Sequence, residues 1–429
     1  MYCGEATLGQ SGVKSGDILT LQVQQMSLAA TADSFAAILG DGCVVTWGGS
    51  GAGGDSMAVK DQLKDVQKIQ ATERAFAALL PDGHVVTWGD AVSGGDSGSV
   101  KDLLKNVKQI QATKTAFAAI LGDGSVVAWG DPRYGGDHSA VKEQLKRVQH
   151  IQSTGTSFAA IRDDGCIVTW GYAIFGGDSS SVKGRLKDVQ QIQATMHAFA
   201  AILRNGTVVT WGDARFGGDS GLVRQQLQNV QHIQATERAF AAILGDRSVV
   251  TWGDPFSGGD CSSVKELLND VEQIQAAYYA FAAILADGSV VTWGDPRFGG
   301  DSSSVKELLR HVQQIQATER AFAAILQDGS VVTWGDALAG GDSRAVKPLL
   351  KDVQQIQATD SAFAAILGDG SLVTWGDVFR GGDNSSVKDQ LRTAAAGTDF
   401  TTEACSAPQC QQCEPMANMI KARFSRASA

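Results

Sequence analysis

Aspartate recurs at two fixed places in this 429-residue sequence, once after a Trp-Gly pair and once at the end of a Gly-Gly-Asp triplet. The first series is Asp90, Asp131, Asp213, Asp254, Asp295, Asp336 and Asp377, and the second is Asp55, Asp96, Asp137, Asp178, Asp219, Asp260, Asp301, Asp342 and Asp383. These carboxylates could form an acidic surface for cations or a basic partner, or each could close its own loop or cap a helix. Gly49 and Tyr172 interrupt the first series, so we favour loop closure and predict no metal site.

Histidine is the side chain best suited to acid–base catalysis near neutral pH, and six histidines are scattered through the sequence. Only His150 and His232 share a position within the repeat described below, and no Ser or Cys nucleophile recurs in phase with them. We therefore predict that the protein is not an enzyme, has no catalytic residue and uses no cofactor.

Cysteine is used in two ways. Three cysteines stand where most other repeats have Ser, which predicts reduced thiols: Cys43, Cys166 and Cys261. Near the end of the chain, Cys405, Cys410 and Cys413 have the spacing C-x(4)-C-x(2)-C. Three thiolates bind zinc when a fourth ligand comes from elsewhere, and the alternative is that residues 393–429 are a flexible tail with reduced thiols.

The tryptophans reveal the organisation that must position these side chains. All nine follow one another at intervals of 41 residues: Trp47, Trp88, Trp129, Trp170, Trp211, Trp252, Trp293, Trp334 and Trp375. A phenylalanine and the Gly-Gly-Asp triplet keep the same register. Nine repeats thus occupy residues 28–392, and a period of this length is typical of stacked supersecondary units.

Each repeat has the pattern of three strands. In the repeat that contains Trp334, residues 315–317 alternate in polarity and predict a first strand, and residues 322–326 and 331–334 predict two more. Asp328-Gly329 supplies the tight turn between the last two strands. Both longer strands carry apolar side chains on each face, which predicts sheets that stack face to face.

The apolar period changes after the Gly-Gly-Asp triplet. Residues at helical spacing are Val305, Leu309, Val312 and Ile315. They predict a short surface helix capped by Asp301 or a following Ser. Pro348, in the corresponding helix of the next repeat, limits the helix to about two turns.

One such repeat cannot bury both faces of its sheet, so neighbouring repeats must stack. The predicted fold class is therefore mainly β with a short helix per repeat, in a propeller-like ring of nine β-β-β-α units. The alternative is an open superhelical repeat array, because nine blades exceed the usual four to eight.

The repeat resembles that of the regulator of chromosome condensation family, in which a strand of small residues, an acidic-Gly turn, a strand ending in Trp-Gly and a glycine-rich exit follow one another. In the third repeat the matching positions are 117–121, Asp123-Gly124, 126–130 and Gly135-Gly136. The resemblance implies a propeller. It also implies two alternative functions: some members exchange nucleotide on a small GTPase, and others are arrays within ubiquitin ligases of the HECT class.

The repeat also departs from this family. It is shorter, has a helix where the family often has a fourth strand, lacks the His common before the second strand, and occurs nine times. These departures, together with the absence of an inserted loop, weaken the transfer of either activity.

The N-terminal stretch SGVKSGDILTLQVQQ resembles the closing segment of a ubiquitin-like fold, and we assign residues 1–27 to it. The first twenty residues do not have the pattern of a secretory signal, so we predict a cytoplasmic location, with the nucleus as the alternative. The net charge of −10 argues against nucleic acid as a partner, and no apolar run approaches the ~20 residues of a membrane helix.

Residue types vary at two places in each repeat, between the first two strands and after the third. In a three-stranded meander these places lie at the same end of the sheet, and stacked repeats present such positions as one binding surface. The predicted partner-binding residues are Glu73, Arg74, Arg133, Tyr134, Arg215, Phe216, Glu237, Arg238, Tyr278, Tyr279, Arg297, Phe298, Glu319 and Arg320. The alternative is drift at unconstrained loop positions.

These observations predict a non-enzymatic repeat scaffold that binds another protein through its variable loop face. The alternatives, guanine-nucleotide exchange on a small GTPase or a part in a ubiquitin-ligase pathway protein, follow from the resemblance alone.

Overall fold

The computed structural model describes residues 27–383, apart from residues 40, 41, 370 and 381. The predicted ubiquitin-like segment and the tail with Cys405, Cys410 and Cys413 lie outside the described residues. The chain divides into two compact units, Met1–Val271 and Glu272–Ala429, and each is described by itself.

The described part of the first compact unit consists of six three-stranded sheets, one for each of repeats 1–6. Their strands are β1 (Ser27–Ala30), β2 (Ser34–Ile38), β3 (Val44–Gly48), β4 (Lys68–Ala71), β5 (Ala75–Leu79), β6 (Val85–Gly89), β7 (Val107–Ala112), β8 (Ala116–Leu121), β9 (Val126–Gly130), β10 (Val148–Ser153), β11 (Ser157–Arg162), β12 (Ile167–Gly171), β13 (Val189–Ala194), β14 (Ala198–Leu203), β15 (Val208–Gly212), β16 (Val230–Ala235), β17 (Ala239–Leu244) and β18 (Val249–Gly253).

The sheets of repeats 7–9 belong to the second compact unit, except that β19 begins at the last residue of the first. Their strands are β19 (Val271–Ala276), β20 (Ala280–Leu285), β21 (Val290–Gly294), β22 (Val312–Ala317), β23 (Ala321–Leu326), β24 (Val331–Gly335), β25 (Val353–Ala358), β26 (Ala362–Leu367) and β27 (Leu372–Gly376). Every sheet is a meander in chain order, so the predicted fold class, mainly β with three strands per repeat, is confirmed.

The middle strands of repeats 2–8 are buried on both faces. In repeat 8, β23 pairs antiparallel with β22 and β24, and five of its six residues are buried. Phe322 lies opposite Trp334, and the two rings stack with their centroids 5.2 Å apart. The alanines that flank Phe322 are small enough for the next sheet to approach closely, and this explains the run of apolar residues that does not alternate.

The first strand begins three residues earlier than predicted. Val312, which the periodicity assigned to the helix, is the first residue of β22 and pairs with Leu326, so that assignment is wrong. His311 before it has a φ of +55°, a left-handed conformation that cannot continue a right-handed helix. The same position is left-handed before the first strands of other repeats: Asp65, Asn106, Arg147, Asp188, Asn229, Asp270 and Asp352.

The predicted surface helix is a short 3₁₀ segment rather than an α-helix. It occurs after six of the described sheets: Met57–Gln62, Gly98–Val100, Lys142–Gln144, Ser180–Arg185, Ser262–Leu267 and Ser303–Leu308. Asp301 Oδ1 accepts the N–H of Ser303, the first residue of its segment, at 2.8 Å, but the N-cap residue is Ser302, whose side chain makes no capping bond. The corresponding residues before β16 and β25 form turns, and Pro348, which has no N–H, lies in the second of these.

A second helical turn, which the sequence did not predict, follows the third strand of each repeat, and we call it the exit turn. The exit turns are Ser50–Ala52, Ala91–Gly95, Pro132–Tyr134, Ala173–Phe175, Ala214–Phe216, Pro255–Ser257, Pro296–Phe298, Ala337–Ala339 and Val378–Arg380. Asp213 caps its exit turn by accepting the N–H of Arg215 at 2.9 Å, and the left-handed Gly217 ends that turn. This confirms loop closure as a role of the Asp that follows Trp-Gly.

Successive repeats within a compact unit are joined by a bond between a tryptophan and a glycine. Trp252 Nε1 donates to the carbonyl oxygen of Gly217 in the preceding repeat at 3.0 Å. A Cβ on Gly217 would lie 2.6 Å from Cδ2 of Phe240, so only glycine permits this approach. The same bond joins Trp88 to Gly53, Trp129 to Gly94, Trp170 to Gly135, Trp211 to Gly176, Trp334 to Gly299 and Trp375 to Gly340.

Two of the three cysteines at Ser-like positions, Cys166 and Cys261, are free thiols, as predicted. Cys43 is disulfide-bonded, so the prediction of a reduced thiol there is wrong. Cys43 follows the hairpin turn of repeat 1 and is only half-buried, which leaves its sulfur accessible to another cysteine.

Candidate interaction face

The two variable places of each repeat lie against each other, as the meander predicted. One is the first turn, between the first two strands, and the other is the exit turn. In repeat 6, Thr236 Oγ1 donates to the carbonyl oxygen of Ser257 in the exit turn at 3.0 Å and accepts the N–H of Ala239. The hydroxyl therefore fixes the first turn to the exit turn. We call the surface formed by the first turns and the exit turns the variable face.

The first turns of successive repeats form a backbone ladder with one rung per repeat. In the first compact unit the N–H of Glu73 donates to the carbonyl oxygen of Lys114, and the pattern continues through Gly155 and Met196 to Glu237, at 2.8–2.9 Å. In the second compact unit the corresponding rungs join Tyr278 to Glu319 and Glu319 to Asp360. Because every rung is backbone to backbone, the side chains at these positions vary without loss of the ladder.

Side chains on the ladder also interact from one repeat to the next. Lys114 Nζ lies 2.9 Å from Glu73 Oε1, and the two side chains are 39% and 47% exposed. Such an exposed pair contributes little to stability, about 0–1 kcal/mol. Its effect is to fix the position of two charges on the variable face.

The last residue of an exit turn packs under the first turn of the next repeat. Phe216 is 9% exposed, and the guanidinium carbon of Arg238 lies 5.1 Å from the centre of its ring. In the second compact unit, Arg320 covers Phe298 in the same way at 5.3 Å. The aromatic residue is thus an internal contact between repeats, and the arginine above it is the exposed member of the pair.

A row of rings crosses repeats 3–5 in the first compact unit. The centroid of Tyr172 is 6.0 Å from that of Tyr134 and 5.0 Å from that of Phe175. His197 is stacked on Phe175 at 4.0 Å and meets Phe216 edge-on at 4.5 Å. Burial between these rings lowers the pKa of His197, so the imidazole is neutral at neutral pH.

A shallow recess of about 410 Å³ opens beside these rings. Its lining residues are Phe175, His197, Arg215, Phe216, Arg238 and Asp254. The Nδ1 atom of His197 is buried, and within the described residues no group forms a hydrogen bond with it. The recess combines aromatic walls with two arginines, a composition typical of contact sites for proteins.

The second compact unit has a smaller aromatic group at the same place. Tyr279 lies edge-on to Phe298 with the centroids 4.7 Å apart, and edge-on to Tyr278 at 5.2 Å. Arg320, above Phe298, also approaches Asp336, with Nη1 3.6 Å from Oδ2. Here too, aromatic side chains are half-buried and arginine is exposed.

Three arginines of the exit turns are held by the Asp of their own repeat. Arg215 donates from Nε to Asp213 Oδ1 at 3.1 Å and from Nη2 to Oδ2 at 2.7 Å. Arg133 and Arg297 make the same fork with their aspartates. Hydrogen bonds from the guanidinium hold the pKa of Asp213 below its usual value, so the carboxylate stays ionised. Only 8% of the Asp213 side chain is exposed against 80% for Arg215, so the surface presents the cation.

The structure brings the predicted partner-binding residues of each compact unit to the variable face but exposes them unequally. The exposed members are Glu73, Arg74, Arg133, Arg215, Arg238, Arg297 and Arg320. The half-buried members are Tyr134, Glu237, Tyr278, Tyr279, Phe298 and Glu319, and Phe216 is buried. The buried and half-buried aromatic residues support the repeat joints and offer a partner less surface than the arginines.

Four of the exposed apolar residues of this face are not among the predicted partner-binding residues: Val92, Ile174, Phe256 and Leu338, which are 63%, 66%, 83% and 81% exposed. Each is the second residue of its exit turn. The selection of charged and aromatic pairs passed over them. Their shared position, 41 residues from the exit-turn arginines, is the signal that identifies them.

Within the described residues, no three His, Cys, Asp or Glu side chains are grouped to hold a metal ion. The helices of that same part of the chain are all too short or too polar to span a membrane.

No family model matches the chain, and no curated protein matches it. Solved structures similar to it include Prp20p from Saccharomyces cerevisiae, a protein with binding properties to Gsp1p and histones, at 18% identity and a TM-score of 0.37 over 74% of this chain and 84% of that one. The CRINKLY WD40 ectodomain of the Arabidopsis thaliana receptor kinase ACR4 has 18% identity and a TM-score of 0.33, over 62% and 93%. The computationally designed protein Ika8 has 14% identity and a TM-score of 0.35, over 73% and 97%.

Proposed function

We propose that the protein is a non-enzymatic repeat scaffold that binds another protein through its variable face. The observation that carries the proposal is that constant and variable residues occupy different parts of the repeat. The constant Phe, Trp, Gly and Thr residues form the core and the joints, whereas the variable residues are gathered at one end of each sheet. A binding surface of this kind can change its side chains without changing the fold.

The chemistry of the variable face supports a protein partner. Arginine is enriched among the residues that contribute most to protein–protein binding, and the exposed members of this face are mostly arginines. The backbone ladder and the Trp–Gly joints hold these side chains on a rigid frame, which lowers the entropy cost of binding.

Affinity capture from a lysate, followed by identification of the bound proteins, tests the proposal. The face variant carries Ala at Arg74, Arg133, Arg215 and Arg297. The matched control carries Ala at four exposed basic residues outside the variable face: Lys146, Arg310, Arg344 and Lys351. We expect the face variant to lose the main partner of the wild-type protein and the control variant to keep it.

Both variants remove four positive charges, so a loss caused by charge alone would appear in both. Equal capture of the partner by the face variant and the wild-type protein would contradict the proposal. Circular dichroism of both variants checks that the fold is unchanged. Nucleotide exchange on a small GTPase and a role in a ubiquitin pathway stay predictions of the family resemblance.

A further inference from the structure

From repeat 2 to repeat 6 of the first compact unit, the second residues of the exit turns alternate in chemistry, whereas repeat 1 has Gly51 at this position. In chain order they are Val92, Arg133, Ile174, Arg215 and Phe256, and we call these five residues the exit row. Arg297 and Leu338 continue the alternation in the second compact unit, and it ends in repeat 9, where the residue is Phe379. Single exposed apolar residues are common on protein surfaces, but apolar residues at every second repeat in one structural position form a pattern.

All five residues of the exit row project from the surface. Val92, Ile174 and Phe256 are 63–83% exposed, and the side chains of Arg133 and Arg215 are 74% and 80% exposed. Neighbouring exit turns are linked, because Tyr172 contacts both Tyr134 and Phe175. Ring contacts and Trp–Gly joints therefore connect the exit row into one surface.

The arginines of the exit row are prepared to bind a second carboxylate. In Arg133, Nε and Nη2 donate to Asp131, whose side chain is only 7% exposed, so the negative charge lies behind the guanidinium. The fork with Asp131 uses Nε and Nη2 and fixes the plane of the guanidinium, so Nη1 lies outside the fork. A partner carboxylate would contact a guanidinium whose orientation is already fixed, so binding would cost little side-chain conformational entropy.

The spacing of the row limits the form of the partner. Stacked sheets lie on the order of 10 Å apart. A polyproline II segment has three residues per turn and advances about 3.1 Å per residue, so one that crosses the exit turns would place every third side chain over a residue of the exit row. Carboxylates would face the arginines, and apolar side chains would face Val92, Ile174 and Phe256.

We propose that the exit row binds an extended acidic segment of a partner protein, in which acidic and apolar residues alternate about every third position. The inference rests on the proposed function and specifies the chemistry of its partner. A nucleic acid strand fits less well, because its phosphates are uniform and do not alternate with aliphatic groups.

The experiment measures fluorescence anisotropy of a labelled synthetic peptide with the full-length protein. The probe is three copies of Glu-Gly-Ser-Leu-Gly-Ser. One control peptide has Lys in place of Glu, and another has Ser in place of Leu. We expect the probe to bind more tightly than either control, with an affinity that falls as salt rises.

Two variants of the exit row test the contacts. The double variant Arg133→Ala, Arg215→Ala and the double variant Ile174→Ser, Phe256→Ser are each expected to weaken binding of the probe about tenfold. Arg344→Ala is the matched control, because Arg344 makes the same fork with Asp342 and is 88% exposed, but lies outside the exit turns. It should leave the affinity unchanged.

Three results would overturn the inference. The first is equal binding of all three peptides, and the second is a loss of probe affinity in the Arg344→Ala variant as large as in the exit-row variants. The third is that a single-stranded oligonucleotide displaces the probe from the wild-type protein through contacts that need Arg133 and Arg215. If the face variant loses its partner in lysate but the probe fails to bind, the proposed function stands and this inference falls. If capture and probe binding are both insensitive to the face, both fall.

Discussion

The guanidinium carbon of Arg238 lies 5.1 Å from the ring centre of Phe216, although the two residues belong to successive repeats. Arg320 and Phe298 repeat this relationship in the second compact unit. The variable residue of one first turn thus contacts the variable residue of the preceding exit turn. Drift at these positions is restricted, because a change on one side of the joint alters the packing of the other.

This relationship predicts an energetic coupling between Arg238 and Phe216. A double-mutant cycle with Arg238→Ala and Phe216→Ala is expected to give a coupling free energy of about 0.5–1 kcal/mol, the usual size of an exposed cation–π interaction. The measurement is urea denaturation of the four proteins. The cycle of Arg238 with Val92→Ala, in repeat 2 of the same compact unit, serves as the control, and a coupling of equal size there would contradict the prediction.

Gly217 is expected to be among the glycines least tolerant of substitution. Its φ is +88°, and an added Cβ would lie 2.6 Å from Phe240. Gly217→Ala should therefore cost about 3 kcal/mol of unfolding free energy, from the left-handed backbone and the clash together.

Gly184 is the matched control for Gly217, because a Cβ there would meet nothing within 4 Å. Gly184→Ala should be neutral or stabilise the protein by about 0.4–1 kcal/mol. Thermal unfolding of both variants checks the difference. A similar melting temperature for the two would show that the close approach at Gly217 has been misjudged.

The Trp–Gly bond makes the indole nitrogen important only where a repeat precedes it. Trp170 is 4% exposed and donates to Gly135 at 3.0 Å, whereas Trp47 in the first repeat is 45% exposed. Trp170→Phe leaves a buried carbonyl without its donor and should cost about 1–3 kcal/mol. Trp47→Phe should cost less than about 1 kcal/mol. The denaturation midpoints of the two variants measure this difference in stability. Equal losses of unfolding free energy would argue against this role of the indole nitrogen.

The Asp–Arg forks predict the behaviour of the protein in acid. The Arg215 guanidinium lowers the pKa of Asp213, and the Arg344 guanidinium lowers that of Asp342 to about 2. Because the folded pKa lies below the unfolded value near 4, each carboxylate stabilises the fold above that value. This stabilisation is lost as the pH falls through the folded pKa. Carboxyl carbon NMR titration should show both lowered values.

Arg215→Ala should raise the pKa of Asp213 towards its usual range but not fully, because the backbone N–H at position 215 still donates to the carboxylate. Asp342 in the same variant is the internal reference and should not change. If the pKa of Asp213 does not move, the fork does not cause the shift.

The sequence predicted the strands well because their chemistry is local. Alternation, the Asp-Gly turn and the Trp-Gly end identify three strands in each repeat, and both faces of β23 are buried as expected. The sequence did not reveal the exit turn, which is only three residues long in most repeats and has no apolar period. It also misplaced Val312, because the left-handed His311 interrupts a spacing that otherwise suits a helix.

The sequence predicted the location of the candidate site but not which of its side chains are exposed. The meander alone brings the two variable turns together, but it does not show which side chains lie between repeats. Phe216 is buried because Arg238 of the next repeat lies over its ring. This contact depends on the distance between two repeats, which the sequence of one repeat does not determine. For the same reason, the choice between a closed ring and an open superhelix stays a prediction, since it depends on small rotations summed over nine repeats.

The uniform joint has a consequence for how such a chain can change its length. Trp170 meets Gly135 as Trp211 meets Gly176, so the two halves of any joint are interchangeable. An in-frame loss or gain of 41 codons would restore a complete joint, whereas a change of 40 or 42 would leave one repeat out of register. Unequal recombination within the gene could therefore shorten or extend the protein in whole steps, each of which adds or removes one segment of binding surface.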